Sequence, residues 1–297
     1  MFLQGALCVL LDFNRCGTDN ISIFISAYLS FLSQVYRGIS LPRVPSNNSD
    51  DNKNDRVNKK AGVIGECPGQ KFQVSRLLFH LNSALGPASD VLLEPYLLCW
   101  EELIRFMDAL GPLVGFFTSK VQEKITLIRQ LSEDAEKICT NTLCNVSENP
   151  LQATQNPQHD AYFSVRSMLE AELQRGLVNF NRQTASGSRT LLRLHRSLLW
   201  LQLLLEKLGA GQDGRSLGEL CGEAYSESLA PYHPWLLQQA AQLVFQAMPE
   251  HDALLQMVCV RMHEEAQPIM HTIVAAIREV RLRTHTELEQ RNMLDLP

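Results

Sequence analysis

One long apolar helix constrains what this chain can fold into more than any other feature of its sequence. From Ser186 to Leu208 the sequence reads SGSRTLLRLHRSLLWLQLLLEKL, and its leucines recur at intervals of three and four residues, the spacing of a helical face. One apolar stripe consists of Leu191, Leu194, Leu198, Leu201 and Leu205. A second stripe beside it consists of Leu192, Leu199 and Leu203. A helix that is apolar over most of its circumference is typical of the centre of an all-helical domain.

The same helix carries a row of arginines. Arg189, Arg193 and Arg196 recur at intervals of four and three residues, and Lys120 and Lys124 form a second basic pair on another segment. Like charges at this spacing repel by about 0.2–0.5 kcal/mol in water, and by more where water is excluded. Either these residues form the solvated faces of surface helices, or an anion lies against them.

The net charge of the chain limits the kind of anion site it can have. With a formal net charge of −5, the chain lacks the broad basic surface that holds nucleic acid, so any anion site must be local. Its 297 residues are 45% apolar, which is enough for a large core. The eight cysteines show no CxxC pair or Cys/His cluster of zinc-ligand spacing, so we expect mostly reduced cysteines and neither a metal nor a cofactor.

Residues 1–70 are predicted to form an N-terminal extension and a polar linker. The uncharged run Ile21–Tyr36 is shorter than the roughly 20 residues that span a bilayer, and no basic region precedes the first apolar run. We therefore expect an unpacked or surface-lying extension, with a membrane anchor or a cleaved signal as the less favoured alternatives. Sequons begin at Asn20, Asn47 and Asn145, and they matter only if the chain enters the secretory pathway.

Residues 71–297 are predicted to form one all-α domain, because apolar residues recur at helical spacing and no alternating strand pattern competes with them. The region 132–161 lacks this periodicity and is predicted to be a long flexible loop. His233 precedes Pro234, which disfavours the α conformation, so His233 should lie at a helix N-terminus. The predicted helical segments are Phe72–Leu85, Tyr96–Leu110, Val114–Leu131, Tyr162–Phe180, Ser186–Leu208, Leu217–Leu229, a helix from Pro234, His251–Met262 and Pro268–Glu287.

Four segments carry a resemblance to a known family. The segments RTLLRLHRSLLWLQLLLE, SLAPYHPWLLQQA, LLEPYLLCWEELIRFMDALG and MLDLP resemble the glycolipid transfer protein superfamily, specifically its ceramide-1-phosphate transfer branch and a homologue with an N-terminal extension. The resemblance covers 71–297, and the pairing of R-T-x-L-R-L-H-R with Y-H-P-W is its most specific part. It implies a two-layer helical sandwich of about eight helices, with the chains of one lipid between the layers.

The resemblance also implies roles for individual residues. Lys124, Arg189 and Arg193 would bind the phosphate, His233 would meet the amide of the sphingoid base, and Trp235 would face the membrane. Arg193 stands where the glycolipid branch has a tryptophan that stacks on sugar, so a neutral sugar headgroup is disfavoured.

One position departs from the family pattern. Lys120 stands where the family places an aspartate that accepts hydrogen bonds from the amide and hydroxyl of the sphingoid base. A lysine ammonium donates hydrogen bonds but cannot accept them. We therefore expect weaker discrimination between sphingoid and glycerol backbones, while the additional positive charge of Lys120 would suit a phosphate.

The resemblance implies a non-enzymatic carrier that transfers a phosphorylated sphingolipid, ceramide 1-phosphate, between membranes. Such a carrier would be a cytoplasmic monomer that acts peripherally at membrane surfaces. Hydrolysis is disfavoured because the sequence contains no G-x-S-x-G, H-E-x-x-H or P-loop motif. The alternative is a sphingolipid sensor or membrane-tethered interaction domain that binds lipid without transferring it.

Overall fold

The fold is that of a computed structural model, which describes residues 66–110, 112–146, 161–210, 214–250, 257–258, 260 and 263–297. These residues belong to one compact unit, Gly62–Pro297. The predictions for residues 1–65, including the anchor alternative and the sequons at Asn20 and Asn47, lie outside the described residues. The side chain of Asn145 lies outside them as well.

Eight α-helices build the described part of the domain, in agreement with the number that the family resemblance implies. In chain order they are α1 Val74–Ser83, α2 Leu93–Ala109, α3 Pro112–Val146, α4 Val165–Gln174, α5 Gly187–Gly209, α6 Leu217–Ser228, α7 Trp235–Gln246 and α8 His263–Gln290. Short 3-10 turns at Pro87–Ser89 and Ala230–Tyr232 precede α2 and α7. Extended pairing within the described ranges is limited to isolated bridges, so the all-α prediction is confirmed.

Serine side chains begin three of these helices. Ser164 and Ser216 form capping boxes at the starts of α4 and α6, and Ser186 accepts a hydrogen bond from the backbone N–H of Arg189 at the start of α5. Each cap satisfies backbone N–H groups that have no partner inside the helix, which is typically worth about 0.5–2 kcal/mol. The cap of α5 therefore fixes the start of the helix that carries the arginine row.

α5 is the central helix of the domain. It packs most extensively against α8 and also contacts α6, α3 and α4. Every leucine of its first predicted stripe, from Leu191 to Leu205, is buried. In the second stripe Leu192 is buried, whereas Leu199 and Leu203 are half-buried. The prediction of a central, mostly buried helix is thus confirmed.

α3 continues well beyond the predicted start of the flexible loop. The loop was predicted over 132–161, but the helix runs to Val146, so this prediction is wrong for its first half. Ala135 continues the buried face, and Lys137 pairs with Glu133 and Asp134 one turn earlier. Such pairs stabilise a helix without an apolar periodic signal, which explains the error. Residues 147–160 lie outside the described ranges.

α4 is shorter than predicted. The pattern indicated a helix over Tyr162–Phe180, but α4 spans only Val165–Gln174. Gly176 adopts a φ of +68°, and the N–H of Leu177 bonds back to the carbonyl of Glu172. A left-handed glycine followed by such a bond is a common helix ending, because glycine adopts positive φ without steric cost.

The last helix is longer than predicted. α8 spans His263–Gln290, whereas the periodicity indicated Pro268–Glu287. Of the preceding predicted helix, His251–Met262, only positions 257, 258 and 260 are described.

The cysteines only partly match the prediction of reduced thiols. Cys99 and Cys221 are buried and free. Cys67, which is also buried, is disulfide-bonded. A structural disulfide is more typical of oxidising compartments than of the cytoplasm.

None of the helices in the described ranges is both long enough and apolar enough to cross a bilayer.

Candidate anion-binding site

A buried carboxylate holds the start of α5. Glu172 of α4 accepts hydrogen bonds from the backbone N–H groups of Gly187 and Ser188 at 2.6 and 2.8 Å. It also accepts bonds from the Ser188 hydroxyl at 2.5 Å and the Tyr162 hydroxyl at 2.9 Å. A negative charge is favourable at a helix N-terminus, where unpaired N–H groups carry partial positive charge. Glu172 therefore fixes the turn from which the arginine row projects.

Position 187 favours a glycine because two side chains of α4 lie close to it. A Cβ atom there would lie 2.6 Å from Sδ of Met168 and 3.0 Å from Oε1 of Glu172. A larger residue would force the Met168 side chain to move and would crowd the carboxylate of Glu172.

The three arginines of α5 differ in exposure. Arg189 is buried, and its Nη1 lies 3.4 Å from the carbonyl oxygen of Thr184. Arg193, one turn later, is exposed. Arg196 is half-buried, and its guanidinium donates to the carbonyl of Leu294 at 2.6 Å. The row therefore runs from the buried start of the helix to the C-terminal tail of the chain.

Arg196 is further held by an aromatic ring. Its Cζ lies 3.7 Å from the centroid of the Tyr232 ring, a stacking distance at which a guanidinium is attracted to the ring face. The charges of Asp295 and Arg193 also act on this guanidinium. Arg196 thus joins the arginine row to the segment that contains His233.

The two predicted lysines lie together on α3. The ammonium of Lys124 donates to the backbone carbonyl of Lys120 at 3.2 Å. Burial, with the positive charges of Arg193 and Lys120 close by, lowers the pKa of Lys124 from 10.5 to about 8. Lys120 has an acidic partner, because its Nζ lies 2.7 and 2.8 Å from the two carboxylate oxygens of Glu123.

His233 lies against both groups of cations. It has an extended backbone, with φ −108° and ψ 136°, between the turn Ala230–Tyr232 and Pro234, the N-cap of α7, so its predicted place is confirmed. Burial, together with the charges of Lys124 and Arg196, lowers the pKa of His233 to about 4. The ring is therefore neutral at physiological pH.

The hydroxyl of Tyr225 orients the His233 ring. It lies 2.8 Å from Nδ1 of His233, and burial raises the pKa of Tyr225 to about 12, so the phenol stays protonated. We assign the tautomer in which Tyr225 donates to Nδ1, which leaves the Nε2–H of His233 as a donor.

Most of the predicted site residues meet at one place. Lys124 interacts with Arg193, Lys120 and His233, and Arg196 links Arg193 to His233. We call this set, together with Glu123, the cationic cluster. Arg189 lies one turn before Arg193, and its described hydrogen bond is to Thr184. Trp235, two residues after His233, is 70% exposed and therefore does not belong to the core.

Several residues of this site were missed or set aside when only the sequence was considered. Arg196 already belonged to the arginine row, and Tyr232 to the segment Y-H-P-W, but neither was given a role in the site. Tyr225 lies eight residues before His233 and has no local signal in the sequence. His195 is adjacent to Arg196 on α5 but is buried, and its Nε2 lies 3.2 Å from Nδ1 of His285 on α8. His195 therefore packs against α8.

The cationic cluster suits a compact anion. Guanidinium groups bind phosphate oxygens in pairs, an ammonium adds a point charge, and a neutral imidazole N–H can donate to a nearby carbonyl. An all-α domain with such a local cluster next to an exposed tryptophan has the features of a helical lipid-binding module.

The comparisons with known proteins identify the family. A family model described as "Glycolipid transfer protein (GLTP)" matches residues 91–260. The ceramide-1-phosphate transfer protein of Xenopus tropicalis is 32% identical over 232 residues, which is 77% of this chain and 98% of that protein. The human ceramide-1-phosphate transfer protein is 30% identical over 229 residues, covering 76% of this chain and 97% of the relative. The chain therefore belongs to the glycolipid transfer protein family.

Solved structures agree with this assignment. Human ceramide-1-phosphate transfer protein in complex with 12:0 ceramide-1-phosphate matches with a TM-score of 0.64 at 30% identity, over 74% of this chain and 97% of that one. Apo accelerated-cell-death 11 of Arabidopsis matches with a TM-score of 0.53 at 18% identity, over 73% and 99%, and shares the fold. The expected two-layer helical fold of this family is thereby confirmed.

Proposed function

We propose that this protein transfers a phosphorylated sphingolipid, ceramide 1-phosphate in the first instance, between membranes without chemical change. The observation that carries this proposal is the position of Lys124 and Arg196 beside a neutral His233, with Arg193 close to both of these cations. The named relatives are ceramide-1-phosphate transfer proteins, and one of them has been solved with this lipid.

The phosphate supplies the selectivity for the headgroup. A phosphomonoester carries about −1.5 to −2 charges at neutral pH, and each charge-assisted hydrogen bond contributes about 1.5–3 kcal/mol. In the absence of an anion, the cluster contains mutually repelling cations, since the charges of Arg193 and Lys120 add to the effect of burial in lowering the pKa of Lys124. A bound phosphate would relieve this repulsion, whereas a neutral sugar would not.

The lipid chains supply the affinity. Burying hydrocarbon between helix layers contributes about 0.8 kcal/mol per methylene, whatever the headgroup. The chains therefore hold the lipid during transit, while the cluster selects which lipid is carried.

Membrane contact is assigned to the exposed aromatic residues beside His233. Trp235 is 70% exposed and Tyr232 is 52% exposed. Amphipathic rings of this kind favour the interfacial level of a bilayer. This supports peripheral action at membranes. The monomeric state and the cytoplasmic location remain predictions.

The test is a vesicle transfer assay with the full-length protein. Donor vesicles carry labelled ceramide 1-phosphate or a labelled neutral glycosphingolipid with the same chains, and acceptor vesicles carry neither. We expect transfer of the phosphorylated lipid and at least about tenfold slower transfer of the neutral one. Binding without transfer would favour the sensor alternative, and transfer of the neutral lipid at the same rate would overturn the proposal.

A further inference from the structure

One carboxylate lies within the cationic cluster. Both oxygens of Glu123 are within 2.8 Å of Nζ of Lys120, and the charge of Glu123 also acts on Lys124 in the next position. The Glu123 side chain is 62% exposed, whereas that of Lys120 is 18% exposed. The contact with Lys120 therefore holds the exposed carboxylate of Glu123 beside Lys124.

The other cluster residues cannot accept a hydrogen bond from a ligand. Lys120, Lys124, Arg193 and Arg196 only donate. The Nδ1 atom of His233 is already engaged by Tyr225. A lipid whose backbone carries N–H or O–H groups next to its phosphate therefore needs an acceptor from another residue.

Glu123 has the capacity to be that acceptor. A carboxylate offers about four lone-pair positions, and the bidentate contact with Lys120 occupies two of them. Its described contacts are both with Lys120, so positions remain for a ligand. Because Glu123 is paired with Lys120, it is less prone to form a direct ion pair with Lys124. The ammonium of Lys124 therefore stays available for phosphate.

Asp295 is the competing carboxylate. Asp295 is an exposed residue of the C-terminal tail, and its charge acts on Arg196. Glu123 acts on Lys124 and Asp295 acts on Arg196, and both of these cations act on His233, Lys124 more strongly than Arg196. The carboxylate of Glu123 is also fixed by its two contacts with Lys120, and this favours Glu123 over Asp295.

We propose that Glu123, held in place by Lys120, is the hydrogen-bond acceptor that selects a sphingoid backbone, with its N–H and O–H donors, over a glycerol backbone. The inference rests on the proposed function, because it assumes that a phosphorylated lipid occupies the cluster. From Lys120 we expected weaker discrimination between sphingoid and glycerol backbones. The inference replaces that expectation, since Lys120 orients the acceptor Glu123 on the same turn of α3.

The experiment is a binding competition that does not depend on transfer. Purified full-length protein is mixed with equimolar ceramide 1-phosphate and phosphatidic acid of matched chain length, and bound lipid is counted by native mass spectrometry. We expect the parent to prefer ceramide 1-phosphate by about tenfold or more, as a charged hydrogen bond allows. Glu123→Ala should lose most of this preference, with total lipid occupancy kept or increased because a negative charge is removed.

Asp295→Asn is the matched control and should keep the parent's preference. A Glu123→Ala protein that keeps its preference, or a parent that binds both lipids equally, would overturn the role of Glu123 while leaving phospholipid transfer intact. A parent that binds neither lipid would overturn the proposed function as well. Because Glu123 is exposed, the variant should melt within about 2 °C of the parent, as expected for a surface substitution.

Discussion

The hydroxyl of Tyr225 lies 2.8 Å from Nδ1 of His233, and this contact determines which ring nitrogen is left to face the cationic cluster. His233 is neutral because its pKa is lowered to about 4 by burial and by the charges of Lys124 and Arg196. With Nδ1 accepting from Tyr225, Nε2–H remains to donate to a lipid carbonyl. A residue of α6 thus orients a recognition group that lies just before α7.

Replacing Tyr225 with phenylalanine should therefore weaken lipid binding without disturbing the core. The ring contact with Phe245, at 5.5 Å between centroids, is kept, and only the hydroxyl is lost. Loss of one oriented hydrogen bond, about 0.5–1.5 kcal/mol, should lower affinity for ceramide 1-phosphate roughly three- to tenfold. Tyr96→Phe is the control, because it removes a hydroxyl from the buried core face of α2. Equal affinity in parent and Tyr225→Phe would show that the hydroxyl does not set the tautomer.

Replacing Arg193 with leucine should reduce transfer of the phosphorylated lipid. Arg193 is exposed, so the helix should tolerate leucine, while a charge-assisted contact of roughly 1.5–3 kcal/mol is lost. We expect at least a tenfold slower rate with thermal stability kept, and the same fall in rate for Arg189→Leu. Arg278→Leu, which removes a guanidinium paired with Glu206 on the surface of α8, is the control. An unchanged rate in either site variant would reject that arginine as a phosphate ligand.

The parts of the fold predicted correctly are those that rest on apolar periodicity. The buried stripe from Leu191 to Leu205 specified the central helix, because burial at intervals of three and four has no other simple explanation. The prediction failed where helices depend on polar contacts. The end of α3 is supported by the pairs of Lys137, and α4 ends through the left-handed conformation of Gly176.

The candidate site was predictable only in part. Lys124, Arg193 and His233 could be found from the sequence because they stand in recognisable segments. Two other roles depend on contacts between elements, that of Tyr225 with His233 and that of Arg196 with Tyr232. The role of Glu123 depends on the side-chain conformation that brings it to Lys120. The spacing of residues in the sequence predicts neither kind of contact. Which groups of the site donate hydrogen bonds and which accept them could therefore be determined only from the structure.

Trp235 should report membrane docking directly. Of the three tryptophans, Trp100 and Trp200 are buried, and only Trp235 is largely exposed. Insertion of its indole at the interface should shift the fluorescence emission to the blue when vesicles are added. Trp235→Phe should abolish this shift and slow transfer. Normal vesicle binding and transfer by Trp235→Ala would exclude a docking role.

Glu172 should contribute more to stability than to lipid choice. Its buried carboxylate accepts bonds from Gly187, Ser188 and Tyr162, so Glu172→Gln should cost at least about 2 kcal/mol. For a domain of this size that corresponds to a melting temperature lower by about 4–8 °C. Glu170→Gln is the control, because Glu170 is an exposed residue of the same helix that pairs with Arg291. Equal melting temperatures for the two variants would contradict a structural role for Glu172.

Lys124 should make lipid binding depend on pH. Its pKa in the free protein is about 8, so the ammonium loses its proton as the pH rises through this value, whereas a bound phosphate would raise the pKa again. The phosphate itself is fully charged only above its second pKa of about 6. Affinity for ceramide 1-phosphate should therefore be highest between about pH 6 and pH 8 and should fall above pH 8.

The stability of the lipid-free protein should increase with pH over the range in which lipid affinity falls. A lysine whose folded pKa lies below its unfolded value destabilises the fold while it is charged, so this contribution improves between about pH 8 and pH 10.5. Lys124→Arg separates the two effects, because a guanidinium keeps its charge throughout this range. In that variant, affinity measured by titration with lipid micelles at pH 7, 8 and 9 should stay constant. The same fall in affinity for parent and variant would show that a group other than Lys124 titrates.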